Sequence, residues 1–545
     1  MLQSRFLLLA MLALGFFVTP VLAQRPNSEL VARQVDTLLV SDIGVETPPK
    51  SSVPLITDDA FVRRVMLDLA GELPTPEELV TFTLDADAHK RARMVDQLLN
   101  DPRFGDNWAR YWRDVILYRR TEERALLSAA AVEEYLSESL NENKSWDEIA
   151  TDFITAEGDV REDGRTALIM AQAGQPEDTV AEISRIFMGI QIQCAQCHDH
   201  PTDRWEREQF HELAAFFPRV AVRPNRQAEK RTFLVTAVDF FPRFLRGNPN
   251  ARFRGTAEHL MPDLENPAEP GEQMKPVFFA TGDALSLGTR DADRRGALAD
   301  WLTSANNEWF AKAYVNRIWA ELVGEGFYEP VDDLGPDREC SAPQTLDLLA
   351  DSFVASAYDV KWLFRTIMAT DAYQRPSQSR RAWEDAPFQA NANQRLRGDQ
   401  LFNSLMQALG INEELATRAG GGMQGAYGFR GGPRTFFNAA FGYDPSDHRD
   451  EITGSVQQAL LMMNSPNINR AMSANNFNGL GRMLRTIPDD QELIVELYLR
   501  TLARAPTSDE IQTCVEYLKE VGDRSEAFED LQWSLVNSTE FLHRR

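Results

Sequence analysis

The chain has 545 residues, 43% hydrophobic and 26% charged, a composition of folded globular proteins that excludes disordered, collagen-like and multi-span membrane classes. With 57 Lys and Arg against 82 Asp and Glu, the net charge of −25 gives a surface field that repels phosphate backbones, so nucleic acid is not an expected partner.

Residues 1–23 differ from everything after them. Arg5 is the sole charge, an apolar run extends from Phe6 to Val18, Pro20 breaks it, and Val21-Leu22-Ala23 forms a small-residue cleavage site before Gln24. This pattern predicts a signal peptide and hence a periplasmic or otherwise exported chain. No later apolar run is long enough to span a bilayer, so no stable membrane span is expected after the segment is removed.

Residues 24–222 read as a helical domain. Phe61, Val62, Val65, Met66 and Leu69 recur at helical spacing over 59–69, and Pro74 is the expected stop. Thr75-Pro76-Glu77-Glu78 then predicts a new helix with Thr75 as N-cap and Glu78 closing a capping box, which accounts for the paired glutamates without catalysis. The same signal recurs at Pro506-Thr507-Ser508-Asp509-Glu510. Over 223–290 prolines and glycines surround two strand-like runs, 232–238 and 276–280, which predicts an irregular connector with a small β element. Helical patterning resumes over 291–545, through 297–302, 311–322, 346–356 and 360–369. The expected fold class is therefore mainly α, with two helical domains joined by the connector. Seven glycines between Arg418 and Arg434 predict a surface loop, since the run lacks the Gly-Lys-Ser/Thr ending of a phosphate loop.

The chemistry concentrates in Gln193-Cys194-Ala195-Gln196-Cys197-His198-Asp199-His200-Pro201. Cys-x-x-Cys-His is the attachment sequence for c-type haem: two thiols about one turn apart form thioethers with one porphyrin, and the adjacent histidine meets the iron. Cys194 and Cys197 are the candidate attachment points and His198 the candidate iron ligand. Haem c is attached outside the cytoplasm, in agreement with the export segment. Ile183, Ile186, Phe187 and Ile190 form an apolar stripe placed to end against a macrocycle. His200 sits too close to His198 to cross to the opposite face and is expected beside the cofactor. His211, on a predicted helix over 207–217, is the first candidate for the ligand opposite His198; Met188 and an open position are the others.

Other chemistries use the same residues. The cysteine pair suits a redox dithiol, although that motif normally follows a strand; zinc binding would need His211 to join Cys194 and Cys197; an inert structural site needs neither. Cys340 and Cys514 stand alone.

The segment 194–220, CAQCHDHPTDRWEREQFHELAAFFPRV, resembles the central motif of the planctomycete-type cytochrome c family that carries a DUF1549 domain followed by a DUF1553 domain. The resemblance extends to Arg63-Arg64-Val65-Met66-Leu67-Asp68-Leu69-Ala70-Gly71, to Trp112-Arg113-Asp114 and, downstream, to Asn316-Arg317-Ile318-Trp319 and Asn464-Ser465-Pro466. It implies an exported, haem-associated protein and brings no established substrate. One departure stands out: Ala342-Pro343 replaces the histidine-proline pair usual before the Leu-Leu-Asp helix. Arg63, Arg64, Asp68, Asp114, Asn316, Arg317 and Asp333 could line a cleft; ion pairs and hydrogen bonds between helices are the plainer expectation.

Two functions follow. The first is a monohaem c-type protein that passes electrons to a redox partner or performs haem-based redox chemistry. The second, suggested by ten tryptophans, is an exported glycan-binding or glycan-processing module with a structural Cys/His metal or disulfide site. No nucleophile elbow, His-Glu-x-x-His helix or dinucleotide glycine pattern is present.

Overall fold

The computed structural model describes residues 25–43, 55–239, 258–269, 271–378, 388, 390–411, 433–448, 452–474 and 479–544. The expected signal peptide, residues 1–23, and the glycine-rich run through Gly432 lie outside them.

The described chain is mainly helical, as expected. The helix read over 59–69 starts at Asp58, but its α-turns end at Val65 and a wider π-turn, Met66–Ala70, completes it. Gly71 ends it rather than Pro74, in the left-handed region at φ 71° with its N–H donating back to the Met66 carbonyl. Both capping boxes form: the Glu78 N–H donates to Thr75 Oγ1 at 3.2 Å while Glu78 accepts the Thr75 N–H at 2.8 Å, and Thr507 and Glu510 repeat the exchange. The four later segments appear as the helices Asp291–Leu302, Glu308–Val323, Pro343–Ala355 and Val360–Met368.

The β element is shared rather than confined to the connector. Strand β1 (Gly158–Asp159) and β2 (Val220–Pro224) flank β3 (Phe233–Ala237) in one antiparallel sheet, with Gly158 and Val222 both opposite Val235. A lone two-stranded ribbon is marginal in water, and the third strand from the helical region completes it.

The apolar core likewise continues across the connector. One cluster runs from Val31 to Phe388, with Ala503, and joins Trp112 and Trp146 to Trp319, Phe353 and Phe364; a second gathers Leu396 to Phe541 with Leu67 and Leu73. Tyr314, on Glu308–Val323, stacks between Trp112 (5.7 Å) and Phe353 (5.2 Å), so that helix is inserted into the aromatic core of the first domain. Packing thus changes largely between residues 388 and 396, well beyond the connector.

Buried arginines tie these parts together. Arg64 donates to the Arg375 carbonyl and Ser377 Oγ, both at 2.9 Å, and Arg185 reaches Asp332 (3.0 Å), Ser446 (2.8 Å) and the Val115 carbonyl (2.9 Å). Arg317 joins the same Ser446 at 3.1 Å, Asn316 donates to the carbonyls of Tyr328 and Val331, and Asp333 accepts from Arg338 at 2.7 Å. The polar residues singled out above are therefore bonded as expected, although Asp114 pairs with its neighbour Arg113 on the same helix. Asp68, whose carboxyl burial pushes up, accepts the Tyr373 hydroxyl at 2.8 Å and faces Arg544 at 3.4 Å.

Arg544 also donates to the Glu321 carbonyl (2.6 Å) and Asn391 Oδ1 (2.7 Å). Changing Arg544 to Ala leaves those acceptors and Asp68 without it inside the core. We expect a stability loss of about 3 kcal/mol, read as a lower urea midpoint; a midpoint like that of the parent chain would contradict this role.

Candidate functional site

The path to the cysteine pair begins in the helix Pro176–Ile183 and the π-turn Ser184–Met188 that extends it. The stripe expected to meet a macrocycle is spent on the core instead. Ile183, Ile186, Phe187 and Ile190 are all buried, and the Phe187 ring lies 5.7 Å from that of Trp146. Ile183, Ile186 and Phe187 hold the helical spacing while Ile190 falls just past Gly189, and protein side chains cover the stripe. Gly189 then turns the chain at φ 64°, its carbonyl accepting from the Leu334 N–H at 2.6 Å. The left-handed conformation favours glycine, and a Cβ here, 2.7 Å from Leu334 Cδ1, would also have to displace that side chain.

A short 3₁₀ turn, Gln193–Gln196, follows. Ala195 is buried and anchors it, with its N–H donating to the Ile192 carbonyl at 2.9 Å, while Cys194 and Cys197 are exposed on either side. All four cysteines are free. His198 is exposed, and its Nδ1 lies 2.7 Å from the Asp199 carbonyl oxygen. A carbonyl only accepts, so Nδ1 carries the proton and Nε2 is left with its lone pair. Asp199 in turn accepts the Arg207 N–H at 3.0 Å, at the start of the helix Arg207–Ala214.

His200 stays on the loop beside the motif. Its N–H donates to the Trp205 carbonyl at 2.7 Å, and its Nδ1 is 3.4 Å from the Thr202 N–H. Arg338 pins this loop, donating to Thr202 O (3.1 Å) and Oγ1 (3.2 Å).

His211 lies behind the turn, buried and bonded on both ring nitrogens. Nε2 is 3.0 Å from the Gln196 carbonyl oxygen and Nδ1 is 2.9 Å from Nε2 of His259, the two rings stacking at 5.1 Å. It is therefore committed to the back of the turn while His198 stands in solvent, and reaching an iron would cost it both contacts. Met188 is sealed in the core. Among the described residues, no group of three or more His, Cys, Asp and Glu side chains is arranged to hold a metal ion, so Cys194, Cys197 and His211 do not converge as a zinc site requires. For haem c the donor set fits: two free exposed thiols at the attachment spacing and a neighbouring imidazole with Nε2 available.

Sequence reading missed His259. It sits in the connector with no motif around it, and its scarcity, one of seven histidines in the chain, was its only signal.

The described residues define a mainly helical protein of two joined segments that presents a Cys-x-x-Cys-His turn at its surface. The family described as protein of unknown function DUF1549 (PSCyt2) matches residues 35–222, and that described as protein of unknown function DUF1553 (PSD1) matches 294–426, so the chain belongs to the proteins that carry these two domains in tandem. No curated protein and no solved structure matches it. The turn lies within the first matched segment, and His259 lies between the two. Among the described residues, no helix is long and apolar enough to cross a membrane.

Burial pushes His211 and His259 down to about 4; for His211 the neighbouring His259 and Arg207 add to this, while the Gln196 bond and Glu177 oppose it. Both rings are neutral in the folded chain and regain an ordinary pKa near 6.5 when it unfolds. The unfolded state then binds more protons between those values, so this contribution is present above pH 6.5 and is lost as pH falls toward 4. Between pH 7 and 5 the parent chain should lose about 1–2 kcal/mol more than His259→Gln, measured by urea unfolding at both pH values. Equal losses would show that His259 does not titrate on unfolding.

Proposed function

We propose that this chain is an exported monohaem c-type cytochrome-like protein, in which Cys194 and Cys197 carry the haem through thioethers and His198 Nε2 binds its iron. The observation that supports this most directly is the exposed, free cysteine pair beside an imidazole whose Nδ1–H donates to the Asp199 carbonyl. That bond fixes the tautomer and ring direction with which His198 would hold an iron through Nε2. Once attached, the group supplies one-electron redox chemistry. The residues of the turn do the rest: Ala195 anchors it in the core, Asp199 joins it to the Arg207–Ala214 helix, and Arg338 steadies the loop beyond. An attachment site on the surface suits exchange of electrons with a partner protein, and the charge of −25 favours a partner with a basic face. The export segment agrees with this reading, because attachment of haem c takes place outside the cytoplasm.

The test is expression of the full chain in a host with haem c maturation. Reduced protein should show cytochrome absorption bands that survive denaturation and acid-solvent extraction, and the double change Cys194→Ser, Cys197→Ser should remove them. Colourless parent protein from that host would overturn the proposal.

A further inference from the structure

His259 belongs to neither matched segment, yet it reaches the back of the cysteine turn through a single intervening ring. The direction of that contact follows from the acceptor at its end. The Gln196 carbonyl has no proton to give, so His211 Nε2 donates to it. In a neutral imidazole the other nitrogen is then bare, and His211 Nδ1 accepts from His259 Nε2–H. Gln196 lies between the two cysteines of the motif, and its carbonyl belongs to the peptide that leads into Cys197.

We propose that His259 and His211 are positioning residues for the 194–198 turn, a two-ring hydrogen-bond chain by which the connector sets the Gln196–Cys197 peptide and so the direction of the Cys197 thiol and the His198 ring. The proposal rests on the reading of that turn as a haem c attachment site and deepens it. His259 is itself held: its carbonyl accepts the Met274 N–H at 2.9 Å, next to the pairing of β4 (Leu260–Met261) with β5 (Glu272–Gln273). The same connector touches the turn a second time through Arg207, whose Nη2 donates to the Pro262 carbonyl at 2.5 Å and whose Nε is 3.4 Å from the Gln196 oxygen. Two buried imidazoles are a costly filler where apolar side chains would pack, and what they supply in exchange is directed hydrogen bonding.

The test compares the full parent chain with His259→Leu, which removes the donor, and His259→Gln, which keeps an N–H at similar reach. In protein made without haem maturation, alkylation of Cys197 should speed up about fivefold in His259→Leu and return toward the parent rate in His259→Gln, the factor held by one ordinary hydrogen bond. Buried Cys514 serves as the control for folding and should stay protected in all three. After haem maturation, covalently bound haem should fall in His259→Leu and recover in His259→Gln. Imidazole ¹H–¹⁵N spectra of the unloaded parent chain supply a reading that needs no variant: both His211 and His259 should be protonated on Nε2. Equal Cys197 rates with Cys514 protected, failure of glutamine to rescue, or an Nδ1–H tautomer at His211 would each overturn the proposal. A parent chain that takes up no haem but shows the expected thiol rates and tautomers would sink the attachment reading while leaving the positioning chain standing.

Discussion

A guanidinium cannot shed its charge inside a protein, so every buried arginine forces the surrounding chain to bring acceptors to it. That requirement organises this fold. Arg64 draws in residues 373–377, Arg185 holds Asp332 and Ser446, Arg295 pairs with Asp291 and the Ala156 carbonyl, and Arg294 reaches the Ala215 carbonyl at 2.8 Å. Each joins segments distant in sequence, and several cross between the two matched segments. The apolar core is continuous from Val31 to Phe388 for a related reason: the helix Glu308–Val323 brings Tyr314 into the first domain to stack on Trp112, while its Arg317 bonds the same Ser446 that Arg185 holds from the first domain.

The cysteine turn is the outward end of this arrangement. Upstream of it everything is buried, from Ile183 to Ile192, apart from half-buried Gln191; downstream, the loop is clamped by Trp205 and Arg338. Between the two, one buried alanine separates exposed residues. A rigid approach with a short exposed segment is how a fold presents reactive side chains without placing them on a mobile loop.

Much of this was legible in the chain. Helical spacing located Asp291–Leu302 and its successors, and Thr75-x-x-Glu78 and Thr507-x-x-Glu510 marked helix starts because a capping box is written within four consecutive residues. The cysteine motif was legible for the same reason. What could not be read was long-range. Periodicity showed that Ile183 to Ile190 had an apolar face but not what covered it, whereas Gly71, three residues before Pro74, carries a local stop signal that the proline overshadows. His259 became visible only when the fold set it against His211 across 48 positions of chain.

Residues 540–544 order the core in time as well as in space. Arg63 donates to the carbonyls of Glu540 and His543, and Arg544 enters the core beside Asp68, so an early helix is finished by residues far downstream. A polypeptide emerges from its N-terminus, and Asp68 is delivered long before its cation. Until residue 544 has been made, Asp68 lacks that partner and the early helices cannot close around it at full strength. The core around Asp68 thus closes only when two segments made far apart in time have met.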